Sequence, residues 1–362
     1  MASSSTPSDS QQQQLPGFLR QSKADIHAKF TDLEWQQRNR LLQGTQPVVD
    51  ASEPPSQWSR LTGDAIKGRN RYLNVEPYAG NRIKLRVAEG ANDYINASPI
   101  QLGQRKYIAT QGPKDTSVGH FYRMLAAEVR SPAVVVMLTQ THESGKEKCF
   151  QYYPLTAEES PLVIPEDETA PDGFTGEVTL EAVADDERSR SQLRRLKLQA
   201  KDQSGADHET DIRHLLFSGW PDFLIPEGED RDALIKLIRL SASLNRPEST
   251  STSTETNGSY NSHADSFAST EQDNPRIIHC SAGVGRSGTF IALDFLLSLL
   301  HSNQLDGLPE DVDPIADTVD SLRQQRMMMV QGESQYNFLY EVLREQMLAR
   351  LDGSNAAAGA QS

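Results

Sequence analysis

Cysteine is nearly absent: Cys149 and Cys280 are the only two in 362 residues. That excludes a disulfide-stapled scaffold and fits a reducing compartment, the cytoplasm first and the nucleus second. Long apolar runs are missing as well. The longest, Ala133–Leu138, falls far short of the roughly 18 residues a spanning helix needs. The opening stretch Met1–Pro7 lacks the apolar core of a secretory leader, so no membrane association is expected. Positive charge is in deficit, with 36 Lys and Arg against 50 Asp and Glu and a net charge of −14. This argues against broad binding to nucleic acid or an anionic membrane, although it leaves room for a local basic pocket. Eleven of the acidic residues fall between Glu158 and Glu187, so the total charge says little about any one face. A mean hydropathy of −0.58 indicates polar segments diluting a globular part. No internal repeat is visible.

Residues 1–57 read as a Ser/Gln-rich start, one or two short helices within Leu15–Gln43, and a proline-bearing linker from Gly44 to Gln57. Residues 58–350 read as one domain. In it, Ala133–Leu138 has the β-branched pattern of a strand buried on both faces. Leu193–Leu198 and Asp211–Phe217 read as antiparallel strands, and Pro161–Pro171 as a solvated acidic loop. Arg231–Leu244, Gly288–Leu300, 315–326 and 334–350 read as helices, the last with Tyr336, Leu339, Tyr340, Leu343 and Met347 on one face. The segment 248–274 is nearly all small and polar, cannot offset its ordering entropy, and is expected to be a disordered insertion. The Ala/Gly-rich tail, 351–362, is expected to fray.

The chemistry concentrates in His279-Cys280-Ser281-Ala282-Gly283-Val284-Gly285-Arg286-Ser287-Gly288-Thr289. A thiol ends a buried strand, a small-residue turn follows, then an arginine, then a helix. Glycines let the backbone curl so that successive N–H groups converge, and the helix N-terminus adds its positive end. Arg286 supplies a planar fork that matches two phosphate oxygens. Such a socket suits a tetrahedral dianion, and it also favours a thiolate at Cys280. A lone buried cysteine is usually an ordinary core residue; here the turn, the arginine and the helix start fall in register with it. The ending Gly-Lys-Ser/Thr of a nucleotide-binding loop is absent.

His279-Cys280-x5-Arg286-Ser287-Gly288 resembles the signature of the protein tyrosine phosphatase family, and other family motifs follow in the family's order. Lys67–Val75, with Asn70-Arg71-Tyr72, resembles the loop that stacks on phosphotyrosine. Asn92–Ser98 and Tyr107–Pro113 resemble two structural motifs, and Glu143 with Lys148-Cys149 resembles a loop near the acid. Trp220-Pro221-Asp222-Phe223 resembles the mobile acid loop, and Gln331–Gln335 the glutamine loop. The Ser/Thr insertion is similar to that of small fungal cytosolic members. The resemblance implies an α/β (α+β) fold: a highly twisted mixed sheet flanked by helices, with the phosphate-binding loop between a central strand and a helix.

The family also implies roles. Cys280 is the nucleophile, and Asp222 the general acid and base. Arg286 and the backbone N–H groups of Ser281, Ala282, Gly283, Val284 and Gly285 hold the phosphoryl oxygens. His279 fixes the loop and lowers the thiol pKa, Ser287 helps the sulfur leave, and Gln331 with Gln335 orients the hydrolytic water. Tyr72 walls a pocket deep enough for an aryl phosphate, and Lys148 lies beside the acid. Asn74 stands where many members carry an Asp that grips the peptide backbone, so weaker peptide affinity is expected. Met328 stands where some members have Gly, so little preference for tandem phosphotyrosines is expected. Expected partners are phosphotyrosine proteins, MAP kinases among them; a monomer with no metal and no cofactor is expected. The competing readings are a phosphotyrosine-binding pseudophosphatase and a dual-specificity phosphatase. An ionised Cys280 further implies sensitivity to peroxide, with Cys149 as resolving thiol only if the fold brings it close.

Overall fold

The computed structural model describes residues 13–46, 54–167, 172–202, 204–222, 224–246 and 272–359. Residues 1–12, the linker's 47–53, the acidic loop's 168–171, residue 203, Phe223 of the Trp-Pro-Asp-Phe motif, residue 247 with the insertion's 248–271, and the tail's 360–362 lie outside them.

Ten strands occur among the described residues: β1 (Ala97–Leu102), β2 (Arg105–Thr110), β3 (Ala133–Met137), β4 (His142–Glu143), β5 (Lys146–Glu147), β6 (Leu162–Ile164), β7 (Thr175–Asp186), β8 (Ser191–Lys201), β9 (Asp207–Phe217) and β10 (Gln272–His279). The helices are α1 (Gly17–Arg20), α2 (Lys23–Gly44), α3 (Val118–Glu128), α4 (Glu229–Leu244), α5 (Gly285–His301), α6 (Pro314–Gln325) and α7 (Glu333–Gly359). Eight strands form one sheet in the order β1-β2-β10-β3-β9-β8-β7-β6, while β4 and β5 pair separately. The centre is parallel (β2, β10, β3, β9) and the flanks are antiparallel. The sheet is therefore mixed, with helices on both faces.

The centre follows from side-chain alternation. In β3, Val134 and Val136 enter one apolar cluster, while Ala133, Val135 and Met137 enter the other. A strand buried on both faces has no polar side to show, which is why the run reads as continuously apolar. The larger cluster packs α4, α5, α6 and α7; the smaller is built on α3, with Phe121, Tyr122 and Leu125, and on Tyr152 and Tyr153. α5 is buried over almost its whole length, and each fully buried leucine in it contributes roughly 1.5–3 kcal/mol.

Several elements differ from expectation. β7 crosses the acidic segment, where half-exposed edge positions tolerate Glu and Asp and hide the strand's period. β6, at the sheet edge, occupies part of the stretch read as loop. β10 begins at Gln272, so three residues assigned to the insertion lie in a strand. Gln272 and Asn274 are buried, and both are hydrogen-bonded to Asn245. α5 begins at Gly285 rather than Gly288, which puts Arg286 and Ser287 in its first turn. α7 continues past Arg350 to Gly359, through a stretch where alanines, the best helix formers, offset the glycines. Leu15, Phe18, Leu19, Ile26 and Leu33, from the N-terminal stretch, pack into the larger core cluster.

Candidate active site

β10 runs into the thiol-bearing turn, and α5 starts where the turn ends. The turn's carbonyls point away from its centre, and each has a donor outside. Ser281 O accepts from Gly112 N at 3.0 Å, Ala282 O from Arg326 Nη2 at 3.1 Å, and Gly283 O from Arg326 Nε at 2.9 Å. Val284 O accepts from Gly288 N at 3.0 Å and from Val330 N at 3.2 Å. With the carbonyls committed outward, the N–H groups face inward. Gly283 makes the turn possible: its φ is +72°, and a Cβ there would lie 2.1 Å from the Thr110 carbonyl oxygen.

Cys280 is buried among these donors. Burial alone pushes its thiol up. The Arg286 charge, the hydroxyl and N–H of Ser287 and the N–H of Gly283 outweigh it, and the thiol sits below its ordinary value of 9.0. Gly283 N donates to Sγ at 3.3 Å. The Ser287 hydroxyl is fully buried and has no nitrogen or oxygen partner, which leaves it to the sulfur.

Arg286 organises the acid side. Its guanidinium makes a bidentate pair with Glu143 (2.7 and 3.0 Å), donates to the Trp220 carbonyl at 3.2 Å, and reaches Asp222 Oδ1 at 3.2 Å. Asp222 Oδ2 accepts from Lys148 Nζ at 2.5 Å. Residues far apart in sequence thus converge. Thr139 Oγ1 and the N–H of Gln140 hold Glu143 from its other side.

Tyr72 lines the opposite wall. Ser281 Oγ donates to the Lys148 carbonyl at 2.9 Å, so its oxygen is left to accept from the Tyr72 hydroxyl at 2.7 Å. The cavity between these walls has a volume of about 250 Å³, and Asn74, Val75, Ala282, Gly285, Gln331 and Gln335 complete it. Gly283, Val284, Ser287 and His279 do not line it; Val284 turns its side chain into the core. Met328, expected to narrow the entrance of a second aryl-phosphate site rather than this one, does not line it either. Met328 packs against the core, with its N–H held by Gln37 Oε1.

His279 lies behind the turn. Its Nδ1 donates to the Cys280 carbonyl at 3.2 Å, leaving Nε2 to accept from the Tyr152 hydroxyl at 2.7 Å. His214 Nε2 then donates to the same Tyr152 oxygen at 2.9 Å. Burial lowers His279 to about 4, so the ring is neutral at pH 7 and brings no charge to the sulfur; it acts on the loop through the carbonyl. Cys149 is also buried, and burial pushes its thiol up. A Cβ on Gly112 would touch both Cys149 Cβ (3.0 Å) and the Cys280 carbonyl (2.9 Å), so the fold brings the two cysteines to either side of that glycine. A protonated Cys149 is nevertheless a poor attacking group.

The protein-tyrosine phosphatase family model matches residues 66–345. The chain belongs to this family. Tyrosine-protein phosphatase 1 of Saccharomyces cerevisiae is 32% identical over 358 residues, covering 91% of this chain and 96% of that protein. Tyrosine-protein phosphatase 2 of Schizosaccharomyces pombe is 31% identical over 88% of this chain, which spans only 39% of that protein's length. The family is not confined to tyrosine phosphatases by name: the rat phosphatidylinositol phosphatase PTPRQ is 32% identical over 76% of this chain and 10% of that protein. Among solved structures, PTPN18 in complex with HER2 phosphopeptides superposes with a TM-score of 0.64 at 25% identity, covering 90% of this chain and 93% of that one. The twisted mixed sheet with its flanking helices is the phosphatase fold. No helix among the described residues is long and apolar enough to cross a membrane.

Sequence reasoning named Glu143 as part of a family loop but not as the bidentate partner of Arg286. It missed Arg326 beneath the turn and the Tyr152–His214 pair behind it. No local signal marks these residues, because each acts on a segment 43 or more residues away in the chain.

Proposed function

We propose that the chain hydrolyses phosphotyrosine in proteins through a phosphocysteine. Cys280 thiolate attacks phosphorus, the bond from phosphorus to the tyrosine oxygen breaks, and Asp222 delivers its proton to the departing phenolate. Arg286 and the inward N–H groups hold the non-bridging oxygens as charge redistributes. A water oriented by Gln331, with Gln335 beside it, then bonds to phosphorus. Asp222 takes its proton, the P–S bond breaks with the electron pair returning to sulfur, and inorganic phosphate leaves. Ser287 steadies the returning thiolate.

The observation that carries this reading is one 250 Å³ pocket lined by Cys280, Arg286, Asp222 and Tyr72 together. A pocket walled by Tyr72 suits a ring-borne phosphate and leaves the shorter phosphoserine out of reach of the sulfur. The activity would oppose kinase signalling, with MAP kinases among the candidate substrates.

The test compares turnover of a phosphotyrosine peptide, a phosphoserine peptide, a phosphatidylinositol phosphate and para-nitrophenyl phosphate. Hydrolysis of the first and last alone is expected. Equal use of phosphoserine would make the enzyme dual-specific, preference for the lipid would move it to the PTPRQ-like class, and binding without turnover would make it a pseudophosphatase.

A further inference from the structure

α2 lies outside the residues that the family model matches, yet it reaches the loop that carries Gln331. Gln37 is 5% exposed, and its Oε1 accepts from the N–H of Met328 at 3.2 Å. Its Nε2 donates to the Tyr78 hydroxyl at 3.2 Å, and that hydroxyl donates to the Arg323 carbonyl at 3.2 Å. The Arg323 guanidinium in turn holds the carbonyls of Met329 (3.0 Å) and Val330 (2.9 Å). Glu34, about one turn before Gln37 on α2, pairs with Arg323 at 2.8 Å. The Met328 N–H and the Met329 and Val330 carbonyls are thus held from α2, directly or through Arg323, and the Val330 N–H from the cradle through its bond to Val284 O.

This loop needs holding. Met328 (φ 61°) and Val330 (φ 55°) are both left-handed. Residues with a side chain avoid that region, a β-branched one most of all, and stay there only where their surroundings over-determine them. Gly288 faces the loop so closely that a Cβ on it would lie 2.5 Å from Val330 N. A relaxing loop would therefore shift Gln331 against a cradle held in place by other bonds.

We propose that Gln37 is a positioning residue for the second half of the reaction: by fixing Met328 it sets the Gln331 carboxamide for the water that hydrolyses the phosphocysteine. This rests on the role given to Gln331 above. Formation of the phosphocysteine does not call on Gln331, so the brace bears on its hydrolysis alone.

The test is rapid-mixing kinetics of the full chain with para-nitrophenyl phosphate. In Gln37→Leu the first turnover should stay within about twofold of the parent while steady-state kcat falls roughly tenfold, as a small misplacement of a reacting group costs. A burst near one equivalent of nitrophenolate should appear, with phosphocysteine recovered after acid quench. Gln37→Glu keeps an acceptor for the Met328 N–H and should restore the parent partition. Should the leucine variant fold poorly, Gln37→Ser reads the same ratio. Parallel loss in both phases overturns the brace. So does an unchanged partition in Gln37→Leu when Gln331→Ala accumulates phosphocysteine. If Gln331→Ala shows no accumulation, it is the role of Gln331 that fails.

Discussion

Between His279 and Thr289 almost every residue is buried, and the turn's carbonyls each find a partner on a neighbouring element. The acid loop from Gly219 to Pro226 is held otherwise. Leu224 is 61% exposed, and the loop closes on itself through Leu224 N to Pro221 O (3.3 Å) and Trp220 Nε1 to Leu224 O (3.0 Å). Its link to the cradle runs through one guanidinium, Arg286, to Trp220 O and Asp222, and through Lys148. A nucleophile stabilised as an anion needs fixed dipoles, because donors that must reorganise stabilise charge poorly. In the proposed reaction the proton donor must admit substrate and then approach the leaving oxygen, which suits its place next to the exposed tip of this loop, beyond the buried Trp220.

Substitutions on either side of this divide test it, from the largest effect downward. Cys280→Ser leaves the cradle but removes the thiolate. Turnover should fall by at least about 10⁴-fold while fluorescence anisotropy still reports binding of a phosphotyrosine peptide; retained turnover would remove Cys280 as nucleophile. Asp222→Ala should lower kcat by roughly 10²–10⁴-fold with little change in KM, and should hold substrates long enough for mass spectrometry to name them. A KM effect alone would make Asp222 a binding residue. Glu143→Gln removes the carboxylate that orients Arg286 from outside both regions. Charge-assisted bonds of this kind are worth about 1.5–3 kcal/mol, so a fall in kcat/KM of roughly 10–100-fold is expected, and a smaller one would show that Trp220 and Asp222 orient the guanidinium unaided.

Ser287→Ala is the mildest change. The hydroxyl favours the thiolate, so its loss raises the Cys280 pKa. In the proposed mechanism the thiolate is the reacting form; it then appears only at higher pH, and the acid limb of the kcat/KM profile should move upward. The pH dependence of alkylation by iodoacetamide should shift with it. A limb that does not move would place the control of the thiol with Arg286 and Gly283.

Much of the fold was legible where a segment's surroundings impose one pattern. β3 lies between two parallel neighbours with both faces covered, and its unbroken Val run says so. β10 was legible over its last four residues but not at its start, where the burial of Gln272 and Asn274 depends on hydrogen bonds to Asn245 and Arg130. β7 escaped because an exposed edge accepts acidic residues that mask alternation. Of the site, the cradle was legible because one contiguous stretch builds it. The convergence of Glu143 and Asp222 on Arg286 was not, since the separations run to 143 residues.

The amino-acid order alone determined that a thiol, a glycine turn and an arginine share one anion socket, because backbone curvature and helix polarity are local properties of a dozen residues. It also determined, through side-chain periodicity, which segments had to be buried. Only the tertiary structure decided which carboxylate faces Arg286, where the turn's carbonyls are capped, and that α2 supports the loop of Gln331. Those depend on groups brought together across the sheet, where the cost of leaving a buried donor unpaired, rather than any neighbour in the chain, selects the partner.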